Sequence, residues 1–150
     1  MIRDTIKTET VSAMKAGDKA RTAALRLIGA KIKDRDIELR TAAQKPDDDA
    51  MVVEVLMKMA KQRRESIEMY ESGGRRELAD QERGELAVIE EFLPAQMSEE
   101  ETRAAIQAIK AELGASSVKD MGRVMAELKA RHATSLDMSK ASGLVKEALS

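Results

Sequence analysis

The chain has no cysteine and no tryptophan, and a single tyrosine, phenylalanine and histidine with two prolines among its 150 residues. Without cysteine there can be no disulfides, thiol nucleophiles or thiolate metal sites, and such a composition suits a reducing compartment. His132 has no second histidine or cysteine to share a metal. It continues the line Val118, Met121, Met125, Leu128, so it reads as a packing residue at a helix end and not as a base. Tyr70 and Phe92 both fall on inward helix faces, which disfavours base stacking of the kind single-strand binders use. A charge of one sign is also missing. The 26 Lys and Arg face 27 Asp and Glu, so the chain is not a globally basic nucleic-acid binder, although a local basic patch remains open.

Longer signals are absent too. No apolar run reaches transmembrane length, and the opening MIRDTIKTET carries charges where a signal peptide needs an apolar core. The expectation is a cytoplasmic protein with no membrane partner. There is no Walker loop and no GxGxxG. Ser12 to Lys15 and Ser116 to Lys119 match a bare SxxK but lack the companion motifs of that hydrolase class. Asp47-Asp48-Asp49 lacks calcium-loop spacing and reads as a helix cap. No catalytic residue, cofactor or metal is therefore expected.

What is present is helical periodicity. Apolar residues make up 43% and charged residues 35% of the chain, with no convincing strand alternation, so the expected fold class is all-α. From Val52 to Pro94 the sequence reads as two antiparallel helices joined at Gly73-Gly74. At 100° per residue, Val52, Val55, Leu56, Met59, Ser66, Ile67 and Tyr70 share one face. Leu78, Leu86, Ile89, Phe92 and Leu93 make the stripe of the second helix. Arg63 interrupts the first stripe, and Glu82 and Glu85 interrupt the second. Folding about the glycines brings Arg63 level with roughly Glu85, so a structural ion pair to Glu85, or failing that Glu82, is expected, because an unpaired buried charge costs several kcal/mol.

Elsewhere, a first helix ending near Gly17 is followed by a long one to about Ala43 with stripe Leu25, Ile28, Ile32 and Leu39. Leu27 and Ile37 lie off that stripe, which suggests cover on more than one side. Pro94 marks a boundary. Ser98 with Glu101, and Ser117 with Asp120, resemble capping boxes. The expected organisation is a helical subdomain of about four helices over residues 1–94, containing the long hairpin, and a small three-helix subdomain over residues 95–150.

Several stretches together carry a resemblance. They are Lys61-Gln62-Arg63-Arg64-Glu65-Ser66, Tyr70, Gly74-Arg75, Glu77-Leu78-Ala79, Glu82, Glu85-Leu86, Ile89 and Phe92-Leu93-Pro94-Ala95-Gln96. Leu25-Arg26-Leu27-Ile28, Met121-Gly122-Arg123-Val124-Met125 and Leu144-Val145-Lys146 flank them. The set resembles the GatB/YqeY family, whose members are similar to the C-terminal tail of the GatB subunit of the tRNA-dependent amidotransferase. The resemblance implies an all-helical accessory module, with tRNA and amidotransferase subunits as partners. Carbon–nitrogen ligase activity with glutamine as amido-N-donor belongs to centres elsewhere in that enzyme. Carried over, it makes Lys119, Arg123, Lys140 and Lys146 the candidate nucleic-acid contacts. The family's glycine before the last helix is missing between His132 and Met138. The competing reading is a protein–protein adaptor with no RNA role; Met51, Met57, Met59 and Met69 read first as core or near-core packing, with an adaptable partner surface as the alternative.

Overall fold

A computed structural model describes residues 1–150 as seven α-helices with no strand. The helices are α1 (Ile2–Ala16), α2 (Lys19–Glu38), α3 (Asp48–Ser72), α4 (Arg76–Glu91), α5 (Glu99–Leu113), α6 (Met121–His132) and α7 (Met138–Leu149), with 3-10 turns at Leu39–Thr41 and Val118–Asp120. The chain divides into two compact units, Met1–Leu93 and Pro94–Ser150. No helix is long and apolar enough to cross a membrane.

In the first unit, Gly17 takes the left-handed conformation that ends α1, and the Asp18 side chain accepts the Arg21 amide to open α2. Asp47 caps α3 in the same way through the Ala50 amide. Ile6, Leu25, Ile28, Ile32, Val52, Leu56, Met59 and Ile89 make the core. On α3 the buried residues stop at Ala60; beyond it Ile67 and Tyr70 are only half-buried. Leu27 and Ile37 are not doubly covered: they are 38% and 47% exposed, because the core takes only the Leu25, Ile28, Ile32 face of α2. That helix also ends as an α-helix at Glu38 and not near Ala43, tightening into the 3-10 turn.

The second unit is built on a complete capping box. The Ser98 side chain accepts the Glu101 amide, and the Glu101 carboxylate accepts the Ser98 amide. Thr102, only 2% exposed, returns its hydroxyl to the Ser98 carbonyl at 2.7 Å. Ser117 and Asp120 do not form a second box: the Ser117 side chain caps nothing, and Asp120 instead accepts the Ser116 amide at 3.1 Å. The 3-10 turn leaves Val118 45% exposed, so α6 packs through Val124 and Leu128 with Met121 and Met125 at the margins. The turn before α7 needs no glycine, since no residue in it has positive φ. Leu136 plugs the core from this turn, and the Met97 amide donates to the Ser135 carbonyl at 2.8 Å.

Candidate functional site

Glu82 and Glu85 are three residues apart on α4, so both point from one face, and that face meets Arg63 of α3. Arg63 Nε lies 2.8 Å from Glu85 Oε2 and 3.1 Å from Glu82 Oε2. The Arg63 side chain is 15% exposed. Its one Nε–H is donated to Glu85. Glu82 Oε2 is buried and receives no hydrogen bond. Burial pushes the Glu82 carboxyl above its ordinary range, the Glu85 charge adds to the push, and Arg63 opposes it. The cluster thus holds one guanidinium and two glutamate side chains.

Two surface recesses are no richer in chemistry. One of about 280 Å³ is lined by Asp36, Arg40, Lys45 and Asp48 with apolar neighbours. Another of about 310 Å³ is lined by Arg103, Gln107 and Glu147 with Ile106, Leu144 and Ala148. No three His, Asp or Glu side chains gather as a metal-ligand set.

In the second unit the charges divide by type. Arg103 binds Glu99 and Glu147, Arg131 binds Glu112 and Glu127, and Arg123 binds Asp120 at 2.7 Å. That bond and the Ser116 amide hold the Asp120 carboxyl below the usual range. Lys110 donates to the Ala148 carbonyl. Glu101 and Asp137 serve as cap partners. Lys119, Lys129, Lys140 and Lys146 make no ion pair, and all four are exposed. Of the four residues the sequence nominates, Arg123 is therefore spoken for and the three lysines are free. Lys129 has the same standing without being nominated, because nothing in its spacing distinguishes it.

On α7, Ala141, Val145 and Leu149 face inward, which turns Gly143 outward with Lys140 three residues before it and Lys146 three after. A Cβ added at Gly143 would meet nothing within 4 Å, so internal packing does not require this glycine. The family model described as Yqey-like protein matches residues 3–149. The chain belongs to the YqeY-like protein family. The YqeY-like match spans both compact units, and so includes the Arg63 cluster as well as the free lysines. No curated protein matches the chain.

Proposed function

We propose that this YqeY-like chain is a non-catalytic accessory protein that binds tRNA through the phosphate backbone. The observation that carries the reading is the division of charge in the second unit. The arginines are occupied by carboxylates, and the cations left to solvent are lysines on the 3-10 turn, α6 and α7. Lysine is a point-charge donor suited to phosphate contact without base readout. In finer architecture we read α3 and α4 as an antiparallel hairpin of the N-terminal subdomain, followed by a three-helix C-terminal one. The pair order supports it, because moving along α3 from Arg64 to Glu71 moves the partner back along α4 from Glu90 to Arg83. Association with a glutamine-dependent amidotransferase is the accompanying proposal.

The test is a titration with bulk tRNA at two salt concentrations. Wild type should bind with strong salt dependence. Replacing Lys119, Lys140 and Lys146 together by Ala should lower the slope of log K against log salt by about 0.7 to 0.9 for each phosphate no longer neutralised. Arg123→Ala should cost less than any single lysine, because its charge is already shared with Asp120.

A second reading, a protein–protein adaptor with no RNA role, rests on Val11 and Met14. These sit three residues apart on α1 and are half exposed, with Leu27 of α2 also partly open. Of the four central methionines only Met69 is strongly exposed, while Met51 and Met59 are core. Absence of tRNA binding at low salt would favour this reading.

A further inference from the structure

At its Nε edge the Arg63 guanidinium offers fewer hydrogens than the oxygens facing it. Two carboxylate oxygens crowd one guanidinium nitrogen, at 2.8 and 3.1 Å, and that nitrogen carries a single N–H. Glu85 takes it, and the buried Glu82 Oε2 is left without a hydrogen bond. An ionised carboxylate can only accept, so two ionised glutamates here would leave one buried acceptor bare and one negative charge uncompensated. A carboxylic acid can donate, and one added proton cures both faults at once. We propose that Glu82 and Glu85 share one proton in the folded protein, which makes the seam between α3 and α4 a proton-binding site. In this state Glu82 is the acid, its O–H is directed at Glu85, and Arg63 balances the one remaining negative charge.

The groups acting on Glu82 are Arg63 from α3 and Glu85 from its own helix, and the upward push of burial and of the Glu85 charge agrees with a retained proton. The other element packed on α4 is α2, whose Arg21 is held by Glu91 nine residues along from Glu82, and Arg64 of α3 lies against Glu90. Arg83 is occupied by Glu71 and Asp80. Arg63 is the cation that acts on Glu82.

The sign of the linkage follows. A carboxyl raised in the folded state contributes stability that is complete below its ordinary pKa of 4.5 and is lost as pH rises through the folded value. The test is a ¹³C carboxyl titration of the full chain, with the Glu82 signal assigned by its loss in Glu82→Gln. The expected midpoint lies above the ordinary glutamate value, and Glu85→Gln should move it down. Thermal unfolding supplies the second measurement. Glu82→Gln, a permanent neutral donor, should melt above wild type at pH 8, and the gap should close as pH falls. A Glu82 midpoint at or below the ordinary value would overturn the proposal. So would a raised midpoint that Glu85→Gln leaves in place, or a Glu82→Gln protein that melts below wild type at pH 8. If Glu82→Gln does not fold, the signal is assigned by through-bond connectivity and the wild-type titration decides.

Discussion

Arg3 closes a two-pronged bond on Asp36, with Nη1 and Nη2 at 2.7 and 2.8 Å from its two carboxylate oxygens. The same guanidinium reaches Asp48 through Nε at 3.2 Å and Nη2 at 2.8 Å, and the Ile2 amide donates to Asp49 at 3.0 Å. The first turn of α1 is thereby fastened to the end of α2 and the start of α3. Asp48 and Asp49 are tethers as well as favourable charges at the positive end of a helix.

Arg3→Ala should cost about 1–3 kcal/mol, because the bonds it removes are charge-assisted and only partly open to solvent. Arg3→Lys should recover only part of that, since an ammonium cannot form the two-pronged contact. Urea unfolding checks both, through a lowered midpoint at unchanged slope.

Asp36 should give a pH effect of opposite sign to that of Glu82. The Arg3 hydrogen bond holds its carboxyl below the ordinary value of 3.8, so its contribution is complete above that value and is lost as pH falls through the folded one. Asp36→Asn should be less stable than wild type at pH 7, and the difference should shrink in acid. Thermal melts between neutral pH and pH 3 read it directly.

Arg63→Met should destabilise by about 2–4 kcal/mol, since it leaves the partly buried Glu82–Glu85 pair and its negative charge without a cation. Replacing Arg63, Glu82 and Glu85 together by Met or Leu should recover most of the loss, because the charges then leave as a set. Chemical unfolding of the single and triple variants separates the two costs.

Two glycines should respond in opposite directions. Gly114 ends α5 at φ +65°, so Gly114→Ala should destabilise by about 1 kcal/mol. Gly143 lies within α7 with open space around it, so Gly143→Ala should stabilise by about 0.5–1 kcal/mol. Calorimetry of the two variants should show melting shifts of opposite sign.

Much of the helical pattern was legible because it is local. The Val52, Leu56, Met59 face, the Ser98–Glu101 box and the Gly17 and Gly114 exits are all readable within a few residues. The charges inside the apolar stripes of α3 and α4 are equally visible. Which glutamate oxygen lacks a donor is not, because that depends on the angle at which one N–H points.

What escaped the sequence is either distant or ambiguous. Arg3 finds Asp36 and Asp48 at 33 and 45 residues' separation, and Arg21 joins Glu91 across 70, with no periodicity to signal either. Ser117 and Asp120 have capping-box spacing, yet here the aspartate bonds the Ser116 amide within a tight turn. Local rules offer two uses for one spacing, and packing chooses between them. The division between occupied arginines and free lysines was hidden for the same reason, since a charge count does not say who is paired.

The end of the core at Ala60 has a consequence for how the first unit comes apart. On α3 the buried residues end at Ala60, and the ion pairs made beyond it, by Arg63, Arg64 and Glu71, all go to α4. Opening free energy should therefore not be uniform along one continuous helix. The stretch around Gly73-Gly74 should open at lower free energy than the part of α3 packed on Leu25 and Ile28. Amide exchange along α3 should slow sharply on passing from Ser66 back to Met59, with Arg63, one turn beyond Ala60, at the step. A helix that looks like a single rod would then behave as two segments with different lifetimes, joined at the residue whose ion pair must break before the opening can spread.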